Sequence, residues 1–132
     1  MKWNTRMLDF SKILAVGTGG FIGAIGRFWL SGLAQRLGDR FPYGTLSVNI
    51  LGSFILGLLA TLFIEKMIVS QEMRLFLLVG LLGAFTTYST FSLETLNLAR
   101  DGEWMFAGLN ILANVMGTLI AVWAGVSIAK LW

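Results

Sequence analysis

The 132-residue sequence contains no cysteine and no histidine. The first absence excludes disulfides and thiolate metal sites, and the second removes the side chain that most often carries protons near neutral pH. Charge is scarce as well: Asp, Glu, Lys and Arg make up 13% of the chain, about half the roughly 25% of a soluble protein. What fills the chain instead is apolar, at 56% of residues and a mean hydropathy of +0.77. This is the composition of an integral membrane protein. The length allows one compact domain spanning 1–132, and a 14.5 kDa helical bundle is small for enclosing an aqueous path alone, so association is expected. The net charge of +3 does not point to nucleic acid, because the basic residues are scattered at segment ends. They read as membrane-flank anchors in contact with the lipid bilayer.

Four long low-charge segments stand out, over residues 13–33 (interrupted only by Arg27), 42–64, 75–93 and 104–129. Each approaches the about 20 residues that a helix needs to cross a roughly 30 Å hydrocarbon core. The expected fold class is therefore an all-α membrane protein with four transmembrane helices. The connectors are short and polar, carrying Arg36, Asp39, Arg40 and Pro42, then Glu65, Lys66, Glu72 and Arg74, then Arg100, Asp101, Gly102 and Glu103. Nothing before the first span has the form of a cleaved signal peptide, so that span is expected to remain in the mature protein. Four spans place both termini on one side. Lys2, Arg6, Lys12, Lys66, Arg74 and Lys130 then share one face, against Arg36, Arg40 and Arg100 on the other. That bias is modest and leaves room for insertion in both orientations.

The third span carries the run Thr86-Thr87-Tyr88-Ser89-Thr90-Phe91-Ser92 in an otherwise greasy, uncharged stretch between Arg74 and Glu94. Hydroxyls at membrane depth imply a surface lined by protein or water. Gly80 and Gly83 precede the run, and a helix break that frees carbonyl oxygens is expected there. Glycines of the first two spans, among them the Gly19/Gly23 small-xxx-small pair, read as helix-packing sites. Asn49 alone would read as interhelical glue. Asn110, Asn114 and Thr118, however, follow at i, i+4 and i+8 along one stripe of the fourth span, and with the third-span run they read as a pathway. No carboxylate lies inside a span, so a proton-coupled carrier lacks its usual titratable group. Hydroxyls, amide NH2 groups and positive ring edges, without acidic rings, favour passive passage of a small, strongly hydrogen-bonding anion.

Three runs carry a family resemblance. They are Gly19-Gly20-Phe21-Ile22-Gly23-Ala24-Ile25-Gly26-Arg27-Phe28, Tyr43-Gly44-Thr45-Leu46-Ser47-Val48-Asn49-Ile50-Leu51-Gly52-Ser53-Phe54 and Gly83-Ala84-Phe85-Thr86-Thr87-Tyr88-Ser89-Thr90-Phe91-Ser92-Leu93-Glu94. In order and spacing the chain resembles the Fluc (CrcB) family of fluoride channels. The resemblance implies a channel and not an enzyme: four helices per subunit with a broken third helix, an antiparallel dual-topology homodimer, two fluoride pores and a structural, untransported Na+ on the two-fold axis. It also implies a multi-pass protein of the bacterial inner membrane that exports fluoride and lowers its toxicity.

Carried over by position, the resemblance gives the backbone carbonyls of Gly83 and Thr86 to the sodium ion. Tyr88 and Phe91 fall on the family's phenylalanine box. The tyrosine departs from the usual phenylalanine, and its hydroxyl either donates to fluoride or bonds elsewhere. Asn49, Thr90, Ser92, Asn110, Asn114 and Thr118 take pore positions. Arg27 serves vestibule electrostatics or snorkels to a helix end, and Glu94 is a helix-end or vestibule group. The competing classes are a dual-topology small multidrug exporter, which needs a membrane-embedded acidic residue, and a non-transporting membrane scaffold, which leaves the polar stripe unexplained.

Overall fold

The structure is a computed structural model describing residues 9–66 and 69–132. Lys2 and Arg6, counted above in the charge balance, lie outside the described residues. Those described form helices joined by turns: α1 (Phe10–Gln35), α2 (Tyr43–Glu65), α3 (Gln71–Arg74), a π-helical segment (Leu75–Leu81), α4 (Leu82–Phe85), α5 (Tyr88–Arg100) and α6 (Trp104–Ala129). No strand occurs among the described residues. Four stretches are long and apolar enough to cross a membrane: Phe10–Gln35, Tyr43–Glu65, Gln71–Arg100 and Trp104–Ala129. The chain is a multi-pass membrane protein.

The connectors are tied by hydrogen bonds that satisfy helix ends. Between α1 and α2 the Gln35 amide does this work, donating from Nε2 to Gly38 O (2.7 Å) and Phe41 O (2.8 Å) while Oε1 accepts from Gly44 N–H (3.1 Å). Gly44 N–H, an open donor in the first turn of α2, and two connector carbonyls are thereby paired within the chain. Between α5 and α6 the turn closes on Gly102, at φ 78°, with Gly102 N–H donating to Ala99 O and Glu103 N–H to Leu98 O. That left-handed position favours glycine, and the two bonds form a Schellman cap.

Helix packing rests on close backbone approach. A Cβ at Gly19 would strike the carbonyl oxygen of Phe76, one at Gly23 that of Leu81, and one at Gly80 that of Val16. The Gly19/Gly23 pair thus lets α1 lie directly against the π-helical segment, in the manner of small-residue interfaces in lipid. The tightest layer is α2 against α6, where Gly57 faces the Val122 carbonyl and Gly125 faces that of Phe54.

The interior between these helices mixes apolar side chains such as Val48, Leu82 and Phe91 with polar ones. Thr45, Asn49, Thr61, Asn110 and Asn114 are buried, while Phe21, Phe28, Trp29, Leu112, Leu119 and Trp123 are exposed. Such an arrangement suits a molecule whose outer surroundings are lipid or another apolar surface and whose polar groups must find partners inside.

The third span is broken at the head of the hydroxyl run, as expected, but not by its glycines. Gly80 and Gly83 both remain helical, Gly80 serving the contact with α1. The chain leaves the helix at Thr86 (φ −89°, ψ 157°) and Thr87 (φ −152°, ψ 115°), both extended. The break therefore does not come from glycine flexibility; hydrogen bonds from α2 hold it.

Candidate functional site: a polar groove at the helix break

Asn49, buried nearly two turns into α2, takes hold of Thr87 with both ends of its amide. Its Oδ1 accepts from Thr87 N–H (2.8 Å) and its Nδ2 donates to Thr87 O (3.1 Å). Thr87 N–H is the group that, in an uninterrupted α-helix, would reach the carbonyl of Gly83. The Thr87 side chain in turn caps α5, with Oγ1 accepting from Thr90 N–H at 3.3 Å. That diverts the donor that would otherwise reach Thr86 O. Among the described residues no backbone N–H donates to either Gly83 O or Thr86 O.

From Asn49 a chain of side chains crosses to α6. Asn49 Nδ2 also donates to Asn114 Oδ1 (3.0 Å), and Asn114 Nδ2 donates to Asn110 Oδ1 (2.9 Å) and Asn110 O (3.0 Å). Asn110, fully buried, donates from Nδ2 to Thr95 Oγ1 (2.9 Å), and Thr95 Oγ1 donates to Phe91 O (2.7 Å). Thr118 Oγ1 bonds back to Asn114 O at 2.6 Å. The stripe read at i, i+4 and i+8 is thus one connected network.

Beside this network opens a groove of about 240 Å³ lined by Asn49, Ser53, Leu56, Thr86, Thr87, Tyr88, Phe91, Asn114, Val115 and Thr118. It brings together five of the expected pore residues: Asn49, Tyr88, Phe91, Asn114 and Thr118. The Tyr88 and Phe91 rings lie 5.3 Å apart at 56°, a tilted pair that offers both faces and edges to the space beside it. Phe91 is buried, whereas Tyr88 is 78% exposed at the open side of the groove.

A second cleft of about 250 Å³ is lined by Arg27, Phe28, Ser31, Thr45, Val48, Thr87 and Thr90. Thr87 borders both spaces. Thr90 therefore belongs to this cleft and not to the groove, and its hydroxyl accepts from Thr87 Oγ1 (2.9 Å). Arg27 makes no ion pair among the described residues. Glu94 stands behind the cleft, its Oε1 accepting from the Thr45 hydroxyl (2.7 Å) and its Oε2 buried without a partner among the described residues.

Three expected residues sit elsewhere. Asn110 lies behind Asn114, outside the lining of both spaces. Ser92 is exposed on α5, and its hydroxyl donates to Tyr88 O (3.0 Å) within its own helix. Gly83 is exposed on α4 and lines neither space. Thr87, Ser53, Thr45 and Thr95 are the site residues that sequence reasoning passed over. Thr87 was in view inside the hydroxyl run, and Thr95 stands one helical turn beyond Phe91.

The family model described as CrcB-like protein, Camphor Resistance (CrcB), matches residues 14–126. A protein of Opitutus terrae named fluoride-specific ion channel FluC is 51% identical over 118 residues, covering 87% of this chain and 89% of the relative. Proteins of the same name from Magnetococcus marinus and Geobacter sulfurreducens are 50% and 45% identical over 121 residues, each covering 91% of this chain and 98% of the relative. The match runs through all four spans and both sides of the break: this chain belongs to the CrcB family.

Proposed function

We propose that this chain is a passive, fluoride-selective channel that exports fluoride from the cytoplasm of a bacterial cell across its inner membrane. The observation that carries the reading is the groove itself, lined by hydroxyls, amides and a paired aromatic edge, in a chain whose relatives are named fluoride channels. Among the described residues, Arg27 is the only charged one lining either space. A proton-coupled multidrug exporter would require a carboxylate facing the path, and a scaffold has no use for buried hydroxyls at an open groove.

Hydrogen fluoride crosses a bilayer uncharged and dissociates in a near-neutral interior, where the ion is trapped by the cost of entering hydrocarbon. A membrane potential, interior negative, contributes about 2.3 kcal/mol per charge per 100 mV toward exit. No other energy source is required. Approaching through the cleft, the anion meets Arg27 and the N-terminal end of α5, whose open N–H groups give that end a positive potential. Past Thr87 it meets the groove, where the hydroxyls of Ser53 and Tyr88 have no partner among the described residues, and the edge of Phe91. Each donor is neutral, so the ion is held in steps weak enough to leave.

One subunit leaves this groove open on the side where Tyr88 is exposed, and the apolar outer faces have a second copy as a natural cover. The proposed assembly is an antiparallel, dual-topology homodimer. Gly83 O and Thr86 O, left without backbone donors by the Asn49 clamp and the Thr87 cap respectively, suit a hard monovalent cation that prefers oxygen ligands. In the proposed dimer they would hold a structural Na+, which supplies charge to pair with four carbonyl dipoles in lipid. The test of function is efflux of fluoride from liposomes with a compensating potassium path. Fluoride release without a proton gradient supports the channel; release that stays dependent on one refutes it.

A further inference from the structure

Thr95 lines neither the groove nor the cleft and has no place among the expected pore residues, yet it completes a ring of hydrogen bonds beside the groove. The ring leaves the break at Thr87, passes through Asn49 on α2, crosses to Asn114 and Asn110 on α6, and returns through Thr95 to the carbonyl of Phe91 on α5. Starting from Thr87 N–H, the donors point the same way around, except that the second Asn49 N–H returns to Thr87 O. That direction is set from both ends by backbone groups that have no choice of role. Thr87 N–H can only donate and Thr87 O can only accept, which fixes the oxygen and nitrogen of Asn49. Phe91 O can only accept, so the Thr95 hydroxyl spends its one proton there and must accept from Asn110.

The consequence reaches the groove through Asn114. Its amide is the last ring member before the layer of Asn110 and Thr95, and its NH2 group is turned back onto the two Asn110 oxygens. Asn110 is 0% exposed, so no water stands in for a lost partner. If Thr95 no longer accepts, the Asn110 amide must rotate to satisfy its donors, and the acceptor that orients Asn114 rotates with it. Resting on the channel reading above, the geometry points to Thr95 as a positioning residue for conduction: acting through Asn110, it holds the Asn114 amide at the groove in one arrangement.

The test uses the full chain in liposomes, with separate measurements of fluoride and chloride efflux. Thr95→Val, which keeps the shape and removes the hydroxyl, lowers fluoride flux about tenfold, the kinetic equivalent of one buried hydrogen bond. It also lowers the fluoride-to-chloride ratio. Thr95→Ser restores both, because the hydroxyl is the acting group. Asn110→Leu lowers flux by itself, and adding Thr95→Val to it causes no further loss, because Thr95 acts through Asn110. A valine variant with wild-type flux and ratio, a serine variant as impaired as valine, or a multiplicative loss in the double variant overturns the proposal. Should Thr95→Val fail to yield monodisperse protein, the comparison of Asn110→Leu with the double variant decides on its own. The wild-type arm separates this from the channel reading, since absence of fluoride efflux there defeats that reading first.

Discussion

At the scale of single residues, the account rests on Asn49 and Phe91. Asn49→Leu removes both partners of the Thr87 backbone inside a buried region, and should cost about 1–3 kcal/mol per unsatisfied group. The expected outcome is a marked fall in thermal unfolding temperature in detergent, with a larger loss than for Ser92→Ala, whose hydroxyl serves only its own helix. Equal effects from the two would remove Asn49 from its place as the clamp. Phe91→Ile keeps a buried apolar side chain and removes the ring edge, so flux should fall about tenfold or more while assembly is retained. Asn49, Phe91 and Asn114 were legible in the sequence because amides and hydroxyls are costly at membrane depth. The dual duty of the Asn49 amide was not, since a side chain's partner 38 positions away leaves no mark in local pattern. Ser92 lies exposed on α5, outside the groove lining, and spacing alone identifies the helix without telling its groove side from its outer side.

At the scale of elements, the contact of α1 with the π-helical segment is set by glycine. Gly23→Val would drive a side chain into the backbone of Leu81, and no flexible neighbour is there to yield. Gly32→Val, with nothing within 4 Å of the added Cβ, is the matched control. Size-exclusion yield should collapse for the first and hold for the second; equal yields would show that α1 does not need this approach. The spacing of Gly19 and Gly23 announced close packing but not the partner, because small-xxx-small is a property of one helix and an interface needs two. The π-helical winding of Leu75–Leu81 left no signal, since its sequence, Leu-Phe-Leu-Leu-Val-Gly-Leu, is apolar throughout and presents no periodicity. Nor did the glycines mark the break. Its extended residues are threonines held by α2 and by a cap, a tertiary effect that overrides local preference.

At the scale of the whole molecule, four spans were readable from hydropathy alone, and hydroxyls in apolar surroundings located the groove. The mutual placement of α2, α5 and α6 required side chains to find one another. The proposed dual topology has a direct check because the chain has no native cysteine. An Asp101→Cys variant, in the turn after α5, should be labelled in intact cells by an impermeant thiol reagent to about half of its total after permeabilisation, given the modest charge bias. Labelling near zero or near completion would mean one orientation. The central claim, selective passive fluoride conduction, is tested most directly by efflux from liposomes carrying the purified chain, with potassium and valinomycin as the only charge-balancing path. The account predicts rapid fluoride release, negligible chloride release and no response to an imposed proton gradient; chloride release at the fluoride rate, or fluoride retained until a proton gradient is applied, would contradict it.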